Sequence, residues 1–406
     1  MNELNCDNWT SVKLGDVAFD INDRVANPSE SGYECFVGLD HLTSGDFTIR
    51  NWGSTEDVTS SMKLFKKGDI LFGRRNTYLK RASMANFDGV CSGDAYVLRF
   101  NPELLVDGYL PLILNSSELW DYTNAHSAGG MSKRAKWRDL ANFEFYLPSK
   151  EEQRRIADIL WAAEDVIVKN EQFLAEAEHY KQLMMRELFH KGIGHTEFKE
   201  DKKVGVVPVE WEIKKLSEIS SIKTGPFGAQ LHQSDYVNSG TPIITVEHLG
   251  KYGITNNNLP FVSDEDKNRL FQYILKEGDI VFSRVGSVDR NCLVSKREEG
   301  WLFSGRLLRV RPNQDKITPR FLTNYFKHED FKGYMKKVAV GGIMASINTA
   351  LLSNVHIPVP SVNEQKQIAA ILTQIDETIA AARETIESTK ALKMKLINEL
   401  LSPHLE

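Results

Sequence analysis

Leu140–Leu160 reads LANFEFYLPSKEEQRRIADIL, and Leu352–Leu372 reads LSNVHIPVPSVNEQKQIAAIL. Aligned without a gap at an offset of 212, they share ten of 21 positions. The identities run through a loop and into a helix start, where common turn chemistry alone would not reproduce them. The same offset pairs Gly129-Gly130 with Gly341-Gly342, and Tyr109-Leu110 with Phe321-Leu322. With small gaps, KKGDILFGR (Lys66–Arg74) matches KEGDIVFSR (Lys276–Arg284), and Trp9…Lys13-Leu14 matches Trp211…Lys215-Leu216. The 406 residues are one unit written twice. Two copies are too few for a solenoid, which needs at least about three repeats to bury a continuous core. A pseudo-twofold arrangement of two folded units is expected instead.

Each unit divides into a globular part and a helix, with expected boundaries of 1–148, 149–194, 195–360 and 361–403. The globular parts carry short runs such as DILFGR, AYVLRF, DIVFSR and LLRVRP between Gly, Pro, Asn and Asp. That pattern reads as strands. With helical stretches such as Pro319–Lys327 between them, it predicts a mixed α/β fold with a partly antiparallel sheet. Pro148-Ser149-x-x-Glu152 and Pro360-Ser361-x-x-Glu364 are capping boxes: the serine can accept from the N3 amide and the glutamate can reach back to the cap amide.

After each box, neither segment has a proline or glycine for about 40 residues, which at 1.5 Å per residue is roughly 60 Å of helix. Heptad spacing selects Ile159, Ala163, Val166, Phe173, Ala177, Tyr180 and Met184 in the first, with Asn170 as a polar interruption. In the second it selects Ile371, Ile375, Thr378, Ala382, Thr385, Thr389, Leu392 and Leu396. Two such stripes in equivalent places predict an antiparallel coiled coil between the helices; the alternative is that each helix packs on its own globular part. Gly192-Ile193-Gly194-His195 marks the stop of the first helix.

The composition, 41% hydrophobic and 26% charged, excludes a disordered or collagen-like chain. Cys6, Cys35, Cys91 and Cys292 lie far apart with no CxxC pair, which fits a reducing cytoplasm. The start MNELNCDNWT is too polar for a signal peptide, and no apolar run approaches a membrane span. There is no GxxxxGK[ST] and no GxGxxG. Asn101-Pro102-Glu103 lacks the second proline and aromatic of an amino-methyltransferase loop. Glu212-Ile213-Lys214 has no upstream acid to complete a nuclease metal pair, and His126 and His232 read as solvated loop residues. No catalytic residue and no metal-ligand set is expected.

What the chain does carry is local basic chemistry on an acidic whole of net charge −5. Met62–Phe100 has eight basic against three acidic residues, among them Arg74, Arg75, Lys80 and Arg81, with Tyr78 between them. Lys276–Arg311 has eight against five, including Arg284, Arg290, Arg306, Arg309 and Arg311. A further cluster, Lys133-Arg134-x-Lys136-Trp137-Arg138, follows Gly129-Gly130. Its counterpart Met344–Asn348 is uncharged and offers Ser346 and Asn348. A repeated scaffold with different polar residues at equivalent places is what two modules reading different sequences would need. The guanidinium fork suits both guanine edges and phosphates.

The whole chain resembles the specificity subunit of type I restriction–modification systems. The carrying motifs are Gly205-Val-Val-Pro208-Val-Glu-Trp211, the twin Gly-Asp-Ile strands at Gly68 and Gly278, and the twin Pro-Ser-x-x-Glu-Gln helix starts. The first half lacks the Gly-x-x-Pro lead-in before Trp9 and has no match for Thr224-Gly225-Pro226-Phe227-Gly228. The resemblance implies a non-catalytic, cytoplasmic subunit that binds a bipartite asymmetric site in double-stranded DNA. Each recognition domain would read one half, and the helices would set the spacer. It also implies two modification subunits that carry S-adenosylmethionine, docked on the helical regions, and restriction subunits that use ATP and magnesium where the system has them. No cofactor of its own is expected for this chain. Two other classes stand against this reading: a helical-rod scaffold joining two protein partners without DNA, and a stand-alone nuclease or methyltransferase.

Overall fold

The computed structural model describes residues 9–130, 132–339 and 346–402. The chain forms two compact units, one from 1–173 and 381–406, the other from 174–380.

In the first unit β1 (Thr10–Lys13) pairs antiparallel with β6 (Glu144–Leu147). A four-stranded antiparallel sheet has the order β2 (Ala18–Ile21), β5 (Ala95–Phe100), β3 (Ile70–Gly73), β4 (Ala82–Met84). In the second unit β7 (Glu212–Lys215) pairs with β12 (His356–Val359). Its four-stranded sheet runs β8 (Ser220–Thr224), β11 (Leu307–Pro312), β9 (Ile280–Ser283), β10 (Asn291–Leu293). The two topologies are the same. Each unit adds a second sheet with one parallel pair: Cys35–Val37 beside Gly89–Cys91, and Thr241–Ile244 beside Leu302–Phe303. The expected partly antiparallel α/β fold is therefore observed in both repeats.

The strands hold because their apolar residues are buried on both faces. In β3, Ile70 and Phe72 join one core and Leu71 the other; in β9, Ile280 and Phe282 face one and Val281 the other. The penultimate residue of β5 is an arginine bound bidentately: Arg99 meets Asp69 at 2.7 and 2.8 Å, and its counterpart Arg311 meets Asp279 at 2.6 Å twice. The carboxylate oxygens of Asp69 and Asp279 also accept from the backbone of Lys66 and Lys276, closing the Gly-Asp-Ile turns.

The long helices are α1 (Lys150–Lys191) and α2 (Val362–Leu401). Ser149 and Ser361 accept from the amides of Glu152 and Glu364, as the capping boxes predict. The glutamates act elsewhere. Glu152 pairs with Arg155, while Glu364 accepts from Ile193 N, Trp211 Nε1 and His195 Nε2, which seats the joint after α1. The next residue bolts each helix to its unit. Buried Gln153 donates to Leu104 O and Pro148 O and accepts from Val106 N; Gln365 does the same with Lys316, Pro360 and Thr318. Gly192 stops α1 at φ +63, where a Cβ would stand 2.7 Å from the Trp211 ring, so only glycine fits.

Each helix contributes to both units. In the first, Ile156, Leu160 and Ile397 lie in one core; in the second, Met185, Leu188, Ile368 and Leu372 do. Within the first unit the helices are antiparallel neighbours, because Glu164 pairs with Lys393 and Glu171 with Lys390. In the second unit Lys181 pairs with Asp376 at 2.5 Å. At the repeat offset Asp376 stands for Glu164 and Lys181 for Lys393, so one carboxylate–lysine seam pair occurs twice.

The seam in α1 is not the one expected. Ile159, Val166, Phe173 and Tyr180 are 41–53% exposed, and Ala163 is half-buried. The inward positions lie one residue later: Leu160, Glu164, Ile167, Glu171 and, in the second unit, Lys181 and Met185. Counting apolar residues misplaces the seam because several of its places are charged and neutralised by partners; Arg50 pairs with both Glu164 and Glu171. In α2, Ala382 is buried, Ile371 and Ile375 pack on one core and Leu396 on the other, but Leu392 is 52% exposed because Lys393 takes the inward place.

Candidate nucleic-acid interface

In the first unit the two basic clusters predicted separately meet at one end of the four-stranded sheet. The β3–β4 loop, Arg74–Arg81, lies against Ser132–Lys136. Ala135 N donates to Arg74 O at 2.8 Å, Asn76 N donates to Lys133 O at 2.9 Å, and Arg75 bridges Arg134. Asp94, at the start of β5, takes Arg75 at 3.2 Å and Arg134 at 3.1 Å, leaving both guanidinium side chains about half exposed. A shared carboxylate fixes two forks in position while several of their donors remain available, a pre-organised arrangement for phosphate or base edges.

The loop is shaped by unusual backbone. Asn76 and Lys80 adopt φ of +54 and +48 on either side of the single turn Thr77–Leu79, and Tyr78 stands 65% exposed at its apex. Lys133 and Lys136 are exposed and make no ion pair among the described residues. Lys80 lies 4.0 Å from Asp121. Two predicted contacts are turned inward. Arg74 lies over the Tyr96 ring at 5.5 Å, and Arg81 donates to Leu39 O at 2.7 Å.

The second unit builds the same frame. Ile347 N donates to Arg284 O at 2.9 Å, Val285 bridges Ser346, and Arg284 N donates to Arg306 O as Arg74 N does to Asp94 O. The side chains differ. Where the first unit has Arg75, Asp94 and Arg134, the second has Val285, Arg306 and Ser346. An acid at one position of the frame is replaced by an exposed base, so the two faces present different charge patterns on one scaffold.

Other predicted residues of this unit hold the fold instead. Arg290 donates to Leu249 O, and Arg309 is buried. Burial, reinforced by Arg311, pushes the Arg309 guanidinium below its ordinary pKa. Asn348 Oδ1 accepts from Leu351 N at 2.8 Å and caps helix Thr349–Ser353. Asn348→Ala should therefore cost about 1 kcal/mol of stability in urea unfolding, and Asn348→Asp should restore it, because both cap equally well. Gly341-Gly342 and Met344 lie outside the described residues, as does Cys6.

One element of this face was not expected. Thr224-Gly225-Pro226-Phe227 packs on Ser304–Arg306. A Cβ on Gly225 would fall 2.2 Å from Ser304 O, and one on Gly305 would fall 2.5 Å from Pro226 O. This close approach carries the 61% exposed Phe227 ring to 5.9 Å from the Arg284 guanidinium. Its sequence signal was the unmatched TGPFG run itself, an aromatic set between two glycines.

The family model for type I restriction modification DNA specificity domains matches the chain twice, over residues 6–179 and 208–390. The chain belongs to this family. It is 25% identical over 405 residues to the type I restriction enzyme MjaVIII specificity subunit of Methanocaldococcus jannaschii, covering 98% of this chain and 92% of that protein. In fold it resembles the type I restriction-modification S subunit from M. genitalium, with a TM-score of 0.60 at 16% identity, covering 100% of this chain and 99% of that one. It also resembles a chain solved for the assembly and conformational transition of a type I R-M system, with a TM-score of 0.60 at 21% identity and 98% and 99% coverage. Both specificity-domain matches contain the basic frame described above, and each extends into one long helix. No helix among the described residues is long and apolar enough to cross a membrane.

Proposed function

We propose that this chain is the DNA sequence-specificity subunit of a type I restriction–modification complex and acts without catalysis of its own. The observation that carries the reading is the duplicated frame at Arg74/Ala135 and Arg284/Ile347, with different side chains on it. Each unit would read one half of a bipartite, asymmetric double-stranded site. Phosphate contacts would set position and base-edge contacts identity. Arg75, Tyr78, Lys133, Arg134 and Lys136 would serve the first half; Arg284, Arg306, Ser346 and Phe227 would serve the second.

The helices shared by both units would set the unread spacer and dock two modification subunits. Exposed Ile159, Val166 and Phe173, at seven-residue spacing on α1, are an apolar stripe suited to such a partner. S-adenosylmethionine would belong to those subunits, and ATP with magnesium to restriction subunits where a system has them. The setting would be cytoplasmic, where the host duplex is available.

Methylation mapping in cells that express the chain with its modification subunits tests this reading. The expected result is a two-part motif with a fixed gap. One heptad inserted within Ala163–Tyr180, with a matching insertion in α2, should lengthen the gap and leave both half-motifs unchanged. An unchanged gap would remove the helices from spacing. Protection of no duplex by the assembled complex would favour the protein scaffold.

A further inference from the structure

His190 lies in the last turn of α1, and His328 precedes helix Glu329–Val338, which contains Asp330. One ligand atom from each lies within 4.8 Å of the others. His190 Nδ1 is 3.1 Å from Val206 O, and its Nε2 is 2.7 Å from Asp330 Oδ2. A backbone carbonyl only accepts, so Nδ1 carries a hydrogen. A carboxylate also only accepts, so a cation, either a proton or a metal ion, must lie on the line between Nε2 and Asp330. A histidine whose second nitrogen is oriented by a backbone carbonyl is the usual arrangement of a metal-ligating imidazole.

His328 is 4% exposed, and its ring contacts are the rings of Phe189 and His190, each at 5.5 Å. No hydrogen bond to its imidazole exists among the described residues. A neutral imidazole has one acceptor nitrogen, and with no hydrogen bond made to it that lone pair is available to a cation. A cavity of about 240 Å³ adjoins the group, bordered by His190, Tyr325, Asp330, Tyr334 and His356. It has room for water to complete a coordination shell.

The repeat supplies an internal comparison. At the offset of 212, His328 corresponds to Ser116, Asp330 to Glu118 and His190 to Ser402. In the first unit Ser402 Oγ donates to Glu118 Oε1 at 2.7 Å, and Ser116 caps its helix at Leu119 N. The same contact between a long helix and a short one is thus held by hydroxyls in one unit, whereas the other has two imidazoles and a carboxylate.

We infer that His190, His328 and Asp330 form a site for one divalent transition-metal ion of the zinc class, which clips the end of α1 to helix Glu329–Val338. Two imidazoles and one carboxylate, with water in the fourth place, are a normal ligand set at about 2.0–2.2 Å per bond. Binding would widen the His190–Asp330 separation by roughly half an ångström to reach tetrahedral spacing.

The test uses the full-length chain, stripped with chelator and titrated with Zn²⁺ by calorimetry, with metal content measured after gel filtration. The expected result is one tightly held equivalent and a higher Tm. The Co²⁺-loaded chain should show the visible absorption of a tetrahedral nitrogen–oxygen site. Asp330 and His190 lie at the surface end of the cluster, so Asp330→Asn and His190→Gln should fold and lose that equivalent. His328→Gln should lose it as well. Wild type holding no equivalent, or Asp330→Asn and His190→Gln both retaining it, would show that only a proton bridges the pair and overturn the site.

Discussion

Lys393→Met is expected to lower the urea-unfolding stability of the first unit by about 3–5 kcal/mol, and Glu164→Met/Lys393→Met to recover most of that loss. Both side chains are almost fully enclosed, at 3% and 2% exposure. The Lys393 ammonium meets Glu164, donates to Gly45 O at 2.7 Å and lies 4.2 Å from the Phe47 ring centre. Removing it leaves the Glu164 carboxylate, whose other cation is Arg50, with one partner too few in a dry place. Asp46 lies in the same network, and burial has already pushed its carboxyl up to about 6. That shift shows how poorly the pocket tolerates another unneutralised carboxylate. Removing both charges replaces two desolvated ions by apolar volume. A single variant no less stable than wild type, or a double variant as unstable as the single, would show that the pair does not act as a unit.

The triple variant Arg75→Ala/Arg134→Ala/Lys136→Ala should weaken binding of the assembled complex to its cognate duplex by about 10²–10³-fold. It should also flatten the slope of log affinity against log salt by roughly one to three units. Among the described residues the Arg75 and Arg134 side chains are tied only to Asp94 and Ser132, at the surface, and Lys136 makes no ion pair. The fold should therefore be spared and Tm should change little. The single variant Arg74→Ala should act differently, because Arg74 packs on Tyr96 and its Nε is buried; its effect should appear first in stability. Unchanged affinity and salt slope for the triple variant would remove this face from the duplex.

Much of the architecture was legible because repetition is visible without any knowledge of contacts. The offset of 212 predicted two equivalent units, and it recurs in Gln153 and Gln365, in Arg99 and Arg311, and in both seam pairs. The helix starts and the glycine stop were readable because capping is local chemistry. The seam was not. Heptad counting assumes apolar inward positions, and in α1 several of these are Glu and Lys whose neutralising partners lie far away in sequence. That the basic segments are equivalent in the two halves was legible, but not the part each residue plays in the fold. Arg75 and Arg311 look alike in sequence; one is held at the surface and the other is bound to Asp279, thirty-two residues away. Asn348 was read as a contact residue because capping and base recognition use the same side-chain amide. His190, His328 and Asp330 escaped notice because only the tertiary fold brings a helix end to a loop 138 residues later.

The left-handed residues around Tyr78 have a consequence for how fast and how selectively a duplex could be engaged. Asn76 and Lys80 take conformations that cost each about 1–3 kcal/mol; Asn76 is held by its N–H donating to Lys133 O and by Ser132 Oγ donating to its Oδ1, and Lys80 N donates to Thr77 O. That expense falls on folding, before any encounter with DNA. A tip with no freedom left to lose gives up little entropy on contact, so a mismatched base cannot be accommodated by bending the loop. Misreading at this point would appear as rapid dissociation, whereas a floppy tip would adapt and stay.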